Sequence, residues 1–388
     1  MTAPRAMIHV QHLLGIGHLK RAAILARGFA EGGLPVDLVS GGMPLATLEI
    51  GKARLHQLPP ARALDENFAR LADESGNPLG PGWQEQRRDA LLALFRALRP
   101  DILLIEMFPF GRRFFAFELL PLIEAALAAR PRPLLAVSVR DILQGSRKPG
   151  RAEETAALIA RAVDLVLVHG DPRLVRFEES FPLAAELGAK LRYTGYVAEP
   201  AAPRESAGAA GWDEVLVSAG GGAVGLHLLE TALAARPLTA LARAPWRLLA
   251  GGNLAEDDFA ALASRAKREG VLLERARPDF PRLLANCHVS VSQAGYNSVM
   301  DVLNAGARAV LVPFEGAGET EQRQRAERLG ARGLARLVAE RDLAPRNLAA
   351  AIDAAASGPR PDTSAIDRDG AAASLRLLRA ELAALRAA

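Results

Sequence analysis

The segment Met7-Ile8-His9-Val10-Gln11-His12-Leu13-Leu14-Gly15-Ile16-Gly17-His18-Leu19-Lys20-Arg21-Ala22-Ala23-Ile24-Leu25-Ala26-Arg27-Gly28-Phe29-Ala30-Glu31 passes from an apolar run, through a turn with two glycines, into a stretch patterned as a helix. That is the opening of a βαβ unit, a buried parallel strand followed by a tight turn and a covering helix. The same order begins again at Glu214 to Ser218, followed by Gly220-Gly221-Gly222-Ala223-Val224-Gly225 and a second helical stretch. Two such openings predict two doubly wound α/β domains facing a common cleft, with ligands outside the carboxyl ends of the strands.

Working outward, the first half offers strands at Met7 to Gln11, Val36 to Ser40, Asp101 to Glu106, Leu134 to Val139 and Leu165 to His169. Helices are expected over His18 to Glu31, Trp83 to Leu98, Phe114 to Ala129 and Glu153 to Ala162. Ala198 to Gly211 is a Pro, Ala, Gly and Ser stretch without periodicity, as a linker would be. Beyond it, strands are expected at Glu214 to Ser218, Trp246 to Ala250, Val271 to Glu274, Val289 to Ser292 and Ala309 to Val312. The expected division is an N-terminal domain over 1–198, a linker over 199–212, a second domain over 213–370 and a last helix over 371–388.

The chain's 388 residues favour two domains of roughly 150 to 200 residues. A single cysteine, Cys287, excludes an internal disulfide and any Cys-rich zinc site. The net charge of +4 is spread along the chain without a polybasic block, so nucleic-acid binding is not expected. The N-terminus lacks the pattern of a signal peptide, and the longest apolar stretches, such as Ala116 to Ala129, fall short of the roughly 18 to 20 residues that span a bilayer. A cytoplasmic protein is expected. The basic aromatic run Phe110 to Phe117 leaves a peripheral contact at the inner face of the membrane open, although a helix burying Phe115 explains it more simply.

Chemistry concentrates in the loops after strands. In the first, Lys20 occupies the place of the third glycine of a dinucleotide fingerprint, so nicotinamide chemistry loses its anchor. Gly15 and Gly17 let backbone approach a ligand, and His18 falls in the first helical turn, where an imidazole can act as general base. The loop Gly220 to Gly225 satisfies GxGxxG, but the strand after it ends in Gly251-Gly252-Asn253 instead of the acidic residue that would hold a dinucleotide ribose. What remains is an amide nest suited to a diphosphate.

The third loop runs Ser292-Gln293-Ala294-Gly295-Tyr296-Asn297-Ser298-Val299-Met300-Asp301. Gly295 frees the backbone, Asn297 or Ser298 can cap the helix, and the exposed amides form a second anion site. Asp301 can accept both hydroxyls of a ribose, although an acid near a helix N-terminus also needs no ligand. In the next loop Glu321 and Gln322 suit the vicinal hydroxyls of a sugar. In the first half, Arg112, Arg113 and Arg140 can hold an anionic group of a second substrate, and Glu106 or Asp141 can orient His18 or replace it; a structural ion pair of Glu106 with an arginine is the alternative. No pattern supports a metal site, and Asp367-Arg368-Asp369 lies away from any strand end.

These turns, in this order and spacing, resemble the GT-B nucleotide-sugar glycosyltransferases, in particular family 28 with the peptidoglycan lipid-intermediate N-acetylglucosaminyltransferases. Among them the chain is most similar to bacterial predicted glycosyltransferases of unassigned acceptor. The resemblance implies two Rossmann-like domains, the first for an acceptor and the second for a UDP-sugar donor. It implies that Gly220, Gly221, Gly222 and Gly295 with Tyr296, Asn297 and Ser298 meet the diphosphate, that Asp301 stands where the family usually has Glu on the ribose, and that Arg277 borders the base. Glu321 and Gln322 match the pair on the donor sugar, while Arg325 replaces an expected Asn. Gly15, Gly17, Arg112, Arg113, Arg140 and Asp141 would fall to the acceptor. The implied reaction is metal-independent inverting transfer of a hexose or N-acetylhexosamine to a lipid-linked or small-molecule hydroxyl, with His18 and Glu106 catalytic and no cofactor beyond the UDP-sugar co-substrate. A UDP-sugar hydrolase of the nonulosonic acid type, recognised by a turn like Gly17-His18-Leu19-Lys20-Arg21, and a non-catalytic nucleotide-sugar-binding protein are the alternatives.

Overall fold

The computed structural model describes residues 3–65, 70–144, 149–220, 225–252, 254–316 and 320–387. The chain divides into two compact α/β units, one of residues 1–197 with 367–388 and one of residues 198–366.

In the first unit the chain forms β1 (Ala6–Val10), α1 (Gly17–Glu31), β2 (Val36–Ser40), β3 (Arg54–Gln57), a small hairpin of β4 (Arg62–Ala63) and β5 (Leu71–Ala72), α2 (Pro81–Leu98), β6 (Ile102–Glu106), α3 (Ala116–Ala128), β7 (Leu134–Arg140), α4 (Arg151–Ala162), β8 (Leu165–His169) and β9 (Leu191–Tyr193). Seven parallel strands build one sheet in the order β3-β2-β1-β6-β7-β8-β9. Strand alternation divides the core. Ala6, Ile8 and Val10 face a layer with Leu19, Ala22, Ala26 and Phe29 of α1, while Met7, Leu103, Ile105, Leu135 and Val137 face the layer of α2, α3 and α4. The C-terminal helix Gly370–Ala387 lays Leu375, Leu378 and Leu382 into the α1 layer.

In the second unit the elements are β10 (Val215–Ser218), α5 (Leu226–Ala235), β11 (Trp246–Ala250), α6 (Glu256–Arg268), β12 (Leu272–Arg275), α7 (Phe280–Asn286), β13 (Val289–Ser292), α8 (Tyr296–Ala305), β14 (Ala309–Leu311), α9 (Glu321–Ala331), β15 (Arg336–Leu337) and α10 (Pro345–Ala356). Six strands form a parallel sheet in the order β12-β11-β10-β13-β14-β15. Val215 and Val217 face α5 and α10, whereas Leu216 faces Leu283 and Leu284 of α7 and Val302 of α8. Within this unit the unperiodic stretch after Val197 is tied down: Glu205 accepts from Asn286 Nδ2 and pairs with Arg282, and the Ala210 carbonyl also accepts from Asn286.

Both sheets reverse their strand order once, the first between β1 and β6 and the second between β10 and β13. A reversal pulls the two following loops apart and opens a crevice at the carboxyl ends of those strands. Topology thus assigns four loops to chemistry: those after Val10, Glu106, Ser218 and Ser292.

Candidate functional site

At the reversal of the first sheet, the His18 Nδ1 lies 2.8 Å from Glu106 Oε1. His18 comes from the loop after β1, in the first turn of α1, and Glu106 is the last residue of β6, so the pair closes across the crevice. Arg21, on α1 one turn beyond His18, donates to the same carboxylate oxygen. Glu106 is buried, and burial works to raise its pKa, but the charges of His18 and Arg21 and the His18 hydrogen bond prevail and hold the carboxyl at about 2. Burial holds the His18 imidazole below its ordinary range, with Arg112 and Arg21 pushing the same way and Glu106 opposing. At neutral pH the cluster is therefore a neutral imidazole, an ionised carboxylate and a guanidinium. An ionised carboxylate only accepts, so Nδ1 carries the proton and Nε2 keeps its lone pair.

The rest of the rim is positively charged. Arg112 donates from Nε to the Gln11 carbonyl at 2.8 Å, and its surroundings contain Glu106, Arg140 and Arg21. Burial and the two neighbouring cations lower the Arg112 pKa to about 10, leaving it charged at neutral pH. Arg112 and Met107 both adopt positive φ, at 59° and 65°, an arrangement costing on the order of 1–3 kcal/mol per residue and kept at functional loops. Arg140 ends β7, one strand beyond Glu106, in register with His169. Arg113 turns elsewhere: it pairs with Glu154 at 2.6 Å and donates to the Arg151 carbonyl and the Thr155 hydroxyl, bracing α4. Asp141 is buried and accepts from the Tyr196 hydroxyl at 3.2 Å. His169 is buried between Ser138 Oγ at 2.7 Å and Thr194 Oγ1 at 2.9 Å. Gly15 is exposed with open space around it, and Gly17 opens α1. The run Phe110 to Phe117 buries Phe115, sets Phe110 edge-to-face against Phe177 and Phe181, and leaves Phe114 exposed.

In the second unit, Ser218 and Ser292 stand side by side at the ends of β10 and β13. Gly220 adopts φ 70° and donates its amide to Ser218 Oγ at 3.3 Å. A Cβ on Gly225 would sit 2.2 Å from that of Ala219, so only glycine lets the chain enter α5 here. Gly221 and Gly222 lie outside the described residues. Gly295 is the N-cap of α8, which has neither a side-chain cap nor an acidic residue in its first turn. The amides at Asn297 and Ser298 thus stand at an uncapped positive helix end, and buried Ser292 Oγ, at the end of β13, has no hydrogen-bond partner among the described residues. Asp301 is half-buried further along α8, and Tyr296 is buried beneath the Arg325 guanidinium at 5.6 Å.

Three predicted contacts are engaged within the fold. Arg277 holds Asp279 through two hydrogen bonds of 2.8 Å and Glu274 through one of 3.0 Å, which raises its pKa. Glu321 is 2% exposed and accepts from Arg325 at 2.7 Å. The Gln322 carbonyl accepts the amides of Ala294 and Phe314 at 3.1 and 3.2 Å, so this residue joins the loops after β13 and β14. Arg325, fully buried, also donates to the Ala294 carbonyl at 3.1 Å. Sequence reasoning allowed an ion pair of Glu106 with an arginine, which the structure shows to be Arg21, and missed Arg325 as the partner of Glu321. The signal was present, since each lies one helical turn from a site residue. Among the described residues no group of three or more His, Cys, Asp or Glu side chains is placed to hold a metal ion, and no helix is long and apolar enough to cross a membrane.

Residues 259–373 match the glycosyltransferase family 28 C-terminal domain. The UDP-N-acetylglucosamine--N-acetylmuramyl-(pentapeptide) pyrophosphoryl-undecaprenol N-acetylglucosamine transferase of Methylobacterium radiotolerans is 33% identical over 135 residues, 33% of this chain and 37% of that protein. The protein of the same name from Brucella anthropi is 31% identical over 142 residues, 36% of this chain and 38% of its own length. The chain thus spans less than two-fifths of these curated relatives. Solved structures align almost throughout: CalG4, the calicheamicin glycosyltransferase, has a TM-score of 0.63 at 17% identity, covering 98% of this chain and 99% of its own. Acinetobacter baumannii MurG gives 0.60 at 16% identity, covering 97% and 100%. Residues 259–373 are accordingly similar to the glycosyltransferase family 28 C-terminal domain, in a chain whose two α/β units have the GT-B fold.

Proposed function

We propose that the protein is a glycosyltransferase that moves a sugar from a UDP-sugar to a hydroxyl acceptor, by metal-independent displacement with inversion. The observation that carries this reading is the family 28 domain match over residues 259–373, which contains the uncapped N-terminus of α8. In this reading the second unit holds the donor. The amides of Asn297 and Ser298 and the positive end of α8 take the diphosphate and oppose the charge that develops as UDP leaves. Asp301 takes the ribose hydroxyls, and the Gln322 amide nitrogen faces the sugar.

The first unit holds the acceptor. His18 Nε2 accepts the acceptor's hydroxyl proton as its oxygen attacks the anomeric carbon, and the bond to the UDP oxygen breaks. Glu106 fixes the tautomer and stabilises the imidazolium as it forms, while Arg21 keeps Glu106 ionised. Arg112 and Arg140 supply positive charge for an anionic group of the acceptor. The relatives' names specify a UDP-N-acetylglucosamine donor and a pyrophosphoryl-undecaprenol acceptor, which makes an N-acetylhexosamine and a lipid-linked or phosphorylated acceptor the first to try, at the inner face of the membrane.

The test is UDP release from a panel of UDP-sugars, with and without hydroxyl acceptors. Acceptor-dependent UDP release with a product of inverted anomeric configuration is expected. UDP release at the same rate without any acceptor would replace transfer by hydrolysis.

A further inference from the structure

Arg87, on α2, and Glu118, on α3, form an ion pair whose side chains are both completely buried. Nε and Nη2 of Arg87 hold the two carboxylate oxygens at 2.7 and 2.8 Å. Nη1 donates to the carbonyls of Gly41 at 2.8 Å and Pro59 at 2.9 Å, and Nη2 donates to Gln11 Oε1 at 2.5 Å. A guanidinium has five N–H groups, and all five are spent. Its face lies over Trp83 and Phe115, at 5.2 and 4.8 Å from the ring centroids.

The three uncharged acceptors share a location. Gln11 follows the end of β1, Gly41 follows β2, and Pro59 comes two residues after β3. One buried cation thus joins three successive loops at the carboxyl edge of the sheet. The join is tight, since a Cβ on Gly41 would lie 2.1 Å from Arg87 Nη2 and 2.3 Å from Gln11 Oε1. A buried ion pair contributes little net stability over an apolar pair of similar volume. What this one supplies is direction.

Gln11 passes that constraint on. Its carbonyl accepts from Arg112, its amide nitrogen donates to the His12 carbonyl at 2.7 Å, and His18 lies seven positions further along the chain. We infer that Arg87, carried by Glu118, is a positioning residue that fixes Gln11 and thereby the segment setting the His18 imidazole against Glu106. Its catalytic consequence rests on the transferase reading; its structural consequence does not.

The experiment replaces the pair in the full chain by Arg87→Met with Glu118→Leu, which leaves neither charge buried alone, and uses Gln11→Leu to cut the tether while keeping the pair. Nitrogen-15 NMR of the histidines, with the His18 signal assigned by its loss in His18→Gln, reads tautomer and titration whether or not the protein transfers sugar. The groups facing His18 are Glu106, Arg21 and Arg112. In the wild type we expect one tautomer, protonated at Nδ1, unchanged from pH 5 to 8. In folded variants we expect mixed tautomers that titrate in that range, and a transfer kcat at least tenfold lower with donor KM unchanged. Either folded variant with the wild-type His18 tautomer and titration overturns the inference; should the double variant not fold, Gln11→Leu alone decides it. Wild-type protein without transfer activity but with the expected NMR contrast would refute the transferase reading and leave this one standing.

Discussion

Replacing Glu106 by Gln removes one negative charge and leaves the volume of the side chain almost unchanged. In the native protein the Glu106 carboxylate accepts from His18 at 2.8 Å and from Arg21, and it is the partner that selects the Nδ1–H tautomer. A hydrogen bond to a charged group contributes about 1.5–3 kcal/mol, and about 1.4 kcal/mol is tenfold in rate. The lost bond alone therefore predicts a kcat lower by about 10- to 100-fold. Where the new amide turns its NH₂ toward His18, the wrong tautomer extends the loss toward roughly 10⁴-fold. Donor KM should stay within about twofold, because the substitution lies in the first unit. Arg21 would lose its carboxylate and become a buried cation without that partner, a change that costs about 3–5 kcal/mol, so the assay belongs well below the melting temperature with the fold checked by circular dichroism. Steady-state kinetics of Glu106→Gln, His18→Ala and the double variant should show that the second substitution adds little to the first. Full wild-type kcat in Glu106→Gln, or strictly additive losses, would refute the assignment of these residues to one proton-accepting unit.

Other expectations follow from the same geometry. His18, His9 and His169 are each held down to about 3 and His12 to about 4, chiefly by burial. A histidine kept neutral in the fold takes up a proton on unfolding below pH 6.5, so stability falls as pH drops from 6.5 towards those values, by about 2 kcal/mol per such histidine at pH 5. The melting temperature should drop over that range, while the acid limb of kcat/KM should lie well below 6.5; a limb centred at 6.5 would contradict a neutral, half-buried His18. Arg325→Met would leave the Glu321 carboxylate buried, costing the second unit about 3–5 kcal/mol, and adding Glu321→Gln should restore part of it in urea unfolding. No recovery in the double variant would show that the pair is not coupled. Arg113→Ala should change acceptor KM less than twofold, since Arg113 is engaged with Glu154 and Thr155; a tenfold rise would place it on the acceptor.

What could be read from the chain reflects how locally each feature is encoded. The inner strands are mostly apolar because both faces are covered, and β1, β2, β6, β8, β10, β11 and β13 were legible to within a residue or two. Edge strand β3, Arg-Leu-His-Gln, is largely exposed and carries no apolar run, and β15 is two exposed residues, so both take their strand character from their neighbours. The Gly-His turn was legible because glycine spacing and a helix start are local. Gln11, Arg87 and Glu118 are separated by 76 and 31 positions, and only the sheet order brings them together. Glu321 and Arg325 stand four apart on one helix, a spacing that predicts a pair, but nothing local tells that both are buried. The sequence pattern therefore points to candidate site residues more readily than to what braces them.

A donor site at the open end of α8 is tested by thermal stabilisation of the full chain by UDP, GDP, dTDP and their sugars, compared between wild type and Ser298→Pro, which removes an amide there. A ligand at 100 times its dissociation constant should stabilise by about 2.7 kcal/mol. A selective shift with UDP and with one UDP-sugar, lost in the variant, is expected. Wild-type protein with no shift for any nucleotide, or an equal shift in the variant, would contradict a donor site at that helix.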